Sequence, residues 1–182
     1  EIEFAEGNYL AAIEGFTWIQ KKNDETSPIK PYEASLKIII SLYKILEKTK
    51  LLPGRIQAQA LSGEESPELS KLTSTQAKWV RSILDHFEEY GRNPKDFETF
   101  EYEAYRLLYQ KGQTQAATKL MSRLIKDRPA SPVAVQAANL VLDTYLMKHP
   151  EKALGFVEGL KEIPTLSSKG FKKRLGDIPA EL

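Results

Sequence analysis

One short stretch of the sequence brings together side chains that could bind a metal ion. The stretch contains Asp85, His86, Glu88 and Glu89. On a helix of 3.6 residues per turn, Asp85 and Glu89 share one face, whereas His86 points about 100° away from Asp85. This spacing does not gather three ligands on one side and is more typical of a solvated acidic face. We therefore predict that the chain binds no metal and no other cofactor.

A second cluster of candidate functional residues is basic and lies near the C-terminus. Its four cations are Lys169, Lys172, Lys173 and Arg174. Such a cluster could contact nucleic acid or anionic lipid. Four charges in a short tail more commonly form the solvent-exposed face of an amphipathic helix. Its apolar face here would contain Phe171, Leu175 and Ile178. We therefore expect a terminal helix that covers the end of the fold.

Composition excludes several classes of chemistry. The chain of 182 residues has no cysteine and two histidines, which excludes disulfides, thiol catalysis and iron–sulfur clusters. Lys plus Arg (26) nearly balances Asp plus Glu (25), for a net charge of +1, so a dedicated polyanion binder, including an RNA-binding repeat protein, is disfavoured. The sequence contains neither a phosphate-binding glycine loop nor a nucleophile elbow. We predict that the chain is not an enzyme and has no transmembrane segment.

Helical periodicity dominates nearly every segment, and no segment reads clearly as a strand. The apolar spacing and the Pro, Gly, Ser and Thr boundary signals predict an all-α chain. Trp18 and Trp79 are expected in the core, and Ala77 is expected on the apolar face of its helix. The predicted helices cover residues 9–19, 32–50, 74–91, 96–111, 113–127, 133–148, 150–163 and 171–175, with a turn at Asn93-Pro94.

Residues 51–71 interrupt this pattern with turn signals at Pro53-Gly54, Ser62-Gly63 and Ser66-Pro67. We interpret them as an insertion loop. A long loop can carry function, and three glutamates in this one could meet a basic partner, although a tolerated insertion is the favoured interpretation. Residues 165–182 are predicted as a C-terminal capping segment.

A spacing of small and large apolar residues recurs along the chain. Glycine, alanine, a large apolar residue and a second one occur at Gly7, Ala12, Phe16 and Ile19, and again at Gly112, Ala117, Met121 and Leu124. A looser copy holds Ala153, Val157 and Leu160. The first two copies lie 105 positions apart, near three units of about 34 residues, and the next step is 36 positions. The small residue suits the closest approach of two antiparallel helices, so we predict stacked helix pairs.

These positions resemble the tetratricopeptide repeat. In the best unit, 98–131, the signature positions are held by Ala104, Leu108, Gly112, Ala117, Met121, Leu124 and Pro129. Glu101 replaces the usual tryptophan, and Tyr105 takes a position that is usually small. The resemblance implies a right-handed α-solenoid of antiparallel helix pairs, with residues 1–182 forming a single repeat domain or a fragment of a longer array.

The turn Pro129–Pro132 before an alanine-rich helix is similar to the repeats of bacterial periplasmic proteins, such as outer-membrane assembly lipoproteins and the repeat protein of the Tol–Pal system. This similarity favours a periplasmic or outer-membrane-associated location over a cytoplasmic one.

In a solenoid of this kind, the first helix of each pair lines the concave face. The resemblance therefore implies a partner-binding surface, which includes the aromatic and arginine side chains that dominate interface energetics. Its residues are Thr99, Tyr102, Arg106 and Tyr109 in one unit, and Val133, Gln136, Leu140 and Asp143 in the next. Some of the tyrosines could instead pack between units. The carboxylate clamp of some family members is incomplete here, because Tyr102, Arg106 and Ala137 occupy its positions.

We therefore expect a non-enzymatic protein–protein interaction scaffold that binds a peptide or protein partner through apolar anchors, within a multiprotein, envelope-associated assembly. The repeat is incomplete at Glu1, which leaves open an alternative, a helical accessory domain of a larger enzyme whose catalytic part is outside this chain. Nucleic acid is not an expected partner.

Overall fold

The computed structural model describes residues 7–22, 28–52, 72–91, 97–163, 166 and 169–178. Within these ranges the chain forms eight helices and no strand, so the all-α prediction is confirmed. The chain divides into two compact units. The first comprises Glu1–Pro53 and Lys71–Lys95, and the second comprises Gly54–Ser70 and Asp96–Leu182.

The helices match the predicted segments to within a few residues. The first unit contains α1 (Tyr9–Lys22), α2 (Pro31–Lys48) and α3 (Ser74–Tyr90). The second unit contains α4 (Glu98–Gln110), α5 (Thr114–Asp127), α6 (Pro132–Lys148), α7 (Pro150–Lys161) and α8 (Lys169–Asp177). The predicted turn at Asn93-Pro94 and residues 53–71 of the predicted insertion lie outside the described residues.

Local sequence signals explain where the helices begin and end. Helices α2, α6 and α7 each begin with proline, whose missing N–H is not needed in the first turn. Helix α3 begins with a capping box, in which the Thr73 hydroxyl accepts from the Gln76 N–H at 3.3 Å and the Gln76 side chain accepts from the Thr73 N–H at 2.9 Å.

In the first unit, α2 packs against both α1 and α3. Its central position explains why it is apolar on more than one side: Ile38 and Ile39 are buried and Ile40 is half-buried. The three successive isoleucines thus belong to a helix, as expected. Trp79 of α3 is fully buried in the same unit, as expected from the sequence.

Two residues of the first unit lie where the sequence did not place them. Trp18 was expected in the core but is 60 % exposed, so that prediction is wrong. The reason is geometric, because Trp18 lies about 200° around the helix from the buried Phe16. Ala77 was expected on the apolar face of α3 but is also exposed. It lies at the edge of the buried stripe that contains Val80 and Ile83.

In the second unit, helices α4 to α7 pack against their neighbours in the chain, and α4 also contacts α6. The recurring spacing has matching environments across the units. Gly7 and Gly112 both adopt positive φ, 79° and 75°, a conformation that glycine reaches without a Cβ penalty. The alanines and large apolar residues that follow them are buried: Ala12, Phe16, Ala117, Met121 and Leu124. Ala153, Val157 and Leu160 of the looser copy are buried as well.

A buried polar group ties α4 to the turn after α5. Glu101 is fully buried and accepts a hydrogen bond from the Tyr105 hydroxyl at 2.7 Å. The guanidinium of Arg128 lies 3.9 Å from Glu101 and 3.7 Å from Glu98. Ser131, which caps α6, donates to Glu98. The two residues that depart from the repeat pattern, Glu101 and Tyr105, are therefore hydrogen-bonded to each other.

Helix α8 places its apolar side against the protein, as the sequence predicted. Phe171, Leu175 and Ile178 are buried, while Lys172 and Lys173 are exposed. Arg174 turns inward and donates to Asn139 and Asp143 of α6. None of the helices in the described ranges is long and apolar enough to cross a membrane.

Candidate functional site

The expected partner-binding residues of α4 include Arg106, whose side chain is held in place by its neighbours. Arg106 pairs with Glu103 at 2.7 Å, one turn earlier on the same helix, and both side chains are about four-fifths buried (19 % and 20 % exposed). Its guanidinium also lies 5.9 Å from the ring centre of Tyr102, within the range of a cation–π contact. A carboxylate and an aromatic face thus hold Arg106 in one orientation.

Burial shifts the pKa values of two titratable groups beside Arg106. Burial raises the pKa of the Glu103 carboxyl, and the nearby arginine charge opposes that rise. Burial also raises the pKa of the Tyr102 phenol, again opposed by Arg106 and reinforced by Glu103. For both groups burial has a larger effect on the pKa than the charge of Arg106.

Tyr109 connects α4 to α6. The Thr144 hydroxyl lies 3.2 Å from the Tyr109 hydroxyl and 2.8 Å from the Leu140 carbonyl oxygen. A hydroxyl has one proton, and a carbonyl can only accept, so Thr144 donates to Leu140 and the Tyr109 hydroxyl donates to Thr144. Tyr109 is half-buried, and this bond fixes its polar end.

The predicted residues of α6 have different environments. Gln136 is exposed, Asp143 is half-buried, and Leu140 and Val133 are buried. Asp143 accepts from Arg174 of α8, so this carboxylate is engaged within the chain. Gln136 thus presents its side chain to solvent, whereas Asp143 links α6 to α8.

Among the expected site residues of both helices, Thr99 and Gln136 are exposed. Three others are half-buried: Arg106, Tyr109 and Asp143. Tyr102 and Leu140 are each only 6 % exposed, so these two side chains lie beneath the surface. The sequence interpretation missed Glu103, which pairs with Arg106, and Thr144, which fixes Tyr109. The opposite charges three residues apart on one helix were the signal for Glu103.

The metal-ligand candidates of α3 do not come together. Asp85 is exposed and pairs with Arg81 at 2.8 Å, whereas His86 is buried. The His86 Nδ1 atom lies 2.9 Å from the Ser35 hydroxyl oxygen, and the rings of Tyr32 and Tyr90 lie 5.1 Å and 5.3 Å from the imidazole. Among the described residues, no three histidine or acidic side chains form a group that could hold a metal ion.

In comparisons with known proteins, no protein-family model matches the chain, and neither a curated protein nor a solved structure matches it significantly.

Proposed function

We propose that the chain is a non-enzymatic protein–protein interaction scaffold, and that a peptide or protein segment binds on the surface formed by α4 and α6. The single observation that carries this proposal is the fixed geometry of Arg106 and Tyr109, which Glu103, Tyr102 and Thr144 hold in place. Arginine and tyrosine dominate binding energy at interfaces. Side chains that are already ordered lose little entropy when a partner binds.

The remaining residues support a surface of this kind. Thr99 and Gln136 are exposed polar side chains on α4 and α6, suited to the rim of an interface. We propose further that the helix pairs stack as a tetratricopeptide-like solenoid, which the sequential packing of α4 to α7 and the α4–α6 contact support. An envelope-associated assembly remains part of the proposal, supported by the Pro129–Pro132 turn pattern.

The experiment begins with affinity purification of the chain from its native cells, with mass spectrometry to identify bound proteins. The double variant Arg106→Ala, Tyr109→Ala should then lose most of the recovered partner. Tyr102 is not a suitable target, because the truncation of a buried aromatic residue costs about 3–5 kcal/mol of stability and would confuse the result.

Arg123→Ala is the matched control, since Arg123 is an exposed arginine of α5 in the same unit. Circular dichroism at the assay temperature should show that both variants are folded, and only the double variant should have a lower melting temperature, because Glu103 and Thr144 lose their contacts with the removed side chains. Full partner recovery with the double variant would show that the α4–α6 surface is not the binding site.

A further inference from the structure

The first unit carries an open apolar groove between its three helices. Ile38 and Leu42, one turn apart on α2, form its floor, and Ile13 of α1 and Ala77 of α3 lie at its sides. The groove has a volume of about 390 Å³, within the size range of small-ligand pockets. Ala77 is small and exposed, so a large side chain can approach the floor from outside.

One side of this groove is positively charged. Lys78 and Arg81 of α3 line it, three residues apart on the same helix, and both are exposed. Arg81 pairs with Asp85, but an exposed pair of this kind contributes little and leaves the arginine able to share a second carboxylate. The groove therefore fits an apolar side chain that is accompanied by an acidic one.

The outer face of α1 presents this combination. Leu10 and Trp18 are 69 % and 60 % exposed, and Glu14 lies exposed between them. Steps of four residues keep the three side chains on neighbouring positions of one helix face. Exposed large hydrophobic residues arranged around a charge are typical of an interaction surface. We call Leu10, Glu14 and Trp18 the α1 stripe.

We propose that two copies of the chain form a twofold-symmetric dimer, in which the α1 stripe of each copy occupies the groove of the other. Trp18 would cover the apolar floor, and Glu14 would lie beside Lys78 and Arg81. Ile13, which lines the groove, directly precedes Glu14 in the sequence, so groove and stripe are adjacent on α1. A twofold axis pairs each surface with its complement in the partner, and both contacts can form together.

Sedimentation equilibrium of the full chain over a wide concentration range tests this proposal. The mass should rise from the 20.6 kDa monomer to twice that value and stop there. Tryptophan fluorescence gives a second measurement, because the chain has two tryptophans and Trp79 is fully buried. Acrylamide quenching therefore reports on Trp18, and it should decrease as the concentration rises.

Variants connect the dimer to the named residues. Trp18→Ala, Glu14→Lys and the double change Lys78→Glu, Arg81→Glu should each raise the dissociation constant by about tenfold or more. The triple variant that combines Glu14→Lys with both glutamate changes exchanges the charges and should restore the dimer. Leu154→Ala, a change at an exposed leucine of α7 in the second unit, is the control and should dimerise normally.

All of these side chains are exposed, so circular dichroism should show unchanged folding. A chain that stays monomeric at every concentration would overturn the proposal, as would dimerisation of Trp18→Ala with unchanged affinity. Assemblies that grow beyond the dimer would exclude the twofold arrangement. Failure of charge exchange to restore the dimer would show that Glu14 does not meet Lys78 and Arg81.

Discussion

At the scale of single residues, His86 shows how burial changes the chemistry of a side chain. The sequence presented it among three carboxylates, where a histidine would titrate as a surface group. In the structure it is enclosed by Tyr32 of α2 and Tyr90 of α3, with Ser35 at hydrogen-bonding distance. Burial lowers the pKa of His86, and the charge of Glu89 opposes this only in part. The buried imidazole therefore favours the neutral form.

This environment predicts that acid destabilises the first unit. The folded-state pKa lies below the unfolded value of about 6.5, so the unfolded chain binds more protons in the interval between the two. The contribution of His86 to the free energy of unfolding is therefore full above about pH 6.5 and falls as the pH decreases toward the folded-state pKa. Urea unfolding between about pH 7.5 and pH 5, above the range where ordinary carboxylates titrate, measures this loss.

His86→Phe should remove the part of this pH dependence that comes from His86, although it also removes the bond to Ser35 and lowers stability at neutral pH. His149→Asn is the control, because His149 is half-exposed and lies 3.4 Å from Glu151. A pH profile that is unchanged in His86→Phe and altered in His149→Asn would show that His149, and not His86, causes the pH dependence.

Glu101 supports a second prediction at this scale. Its carboxylate is fully buried between the Tyr105 hydroxyl and Arg128. Glu101→Ala removes the carboxylate that accepts from the buried Tyr105 hydroxyl and one of the two carboxylates beside Arg128, so it should lower the free energy of unfolding by about 1–3 kcal/mol. Urea unfolding monitored by circular dichroism provides the measurement.

The exposed pair Arg123–Asp127 of the same unit is the comparison, with a separation of 3.4 Å. Arg123→Ala should cost less than about 1 kcal/mol, as exposed ion pairs do. If the two variants lose a similar free energy of unfolding, the buried Glu101 contributes no more to stability than an exposed ion pair does.

At the scale of helices, sequence periodicity and boundary residues were sufficient to predict the elements, because both are local properties. The segment 32–50, which contains three successive isoleucines, was predicted as a helix and forms α2. Periodicity was less informative at the edges of a helix face. Trp18 and Ala77 were expected to be covered, but which edge is covered depends on where neighbouring helices pack, and that arrangement is not local.

The α3 cap gives a prediction for a whole helix. Thr73→Ala removes the hydroxyl that accepts from Gln76 and should cost about 1 kcal/mol of stability. Thr73→Ser keeps an equivalent hydroxyl and should retain nearly all of it. Thermal unfolding of both variants measures the difference. Equal melting temperatures for alanine and serine would show that the hydroxyl contributes nothing to α3.

At the scale of the whole chain, the sequence predicted the helices and the burial of the repeat positions, but not which contacts the expected site residues make. The repeat spacing located buried alanines and glycines with positive φ in both units, since backbone geometry restricts those residue types. The exposure of the expected partner-binding residues depends on which side of α4 and α6 is covered. Tyr102 and Leu140 proved buried, and Asp143 is bonded to Arg174 of α8. The helix that contacts Asp143 comes from a distant part of the sequence, which periodicity does not locate.

The charge of the whole chain carries the last prediction, on nucleic acid. Binding to a polyanion requires several phosphates to be neutralised together, and a net charge of +1 provides little general attraction. Among the described side chains of α8, Lys172 and Lys173 are exposed and add only a local charge, and Arg174 is engaged with α6. A filter-binding titration with single-stranded RNA should therefore show no retention even at low salt. Retention that falls steeply with salt, and is lost in Lys172→Glu, Lys173→Glu, would contradict this prediction and make α8 a nucleic-acid contact.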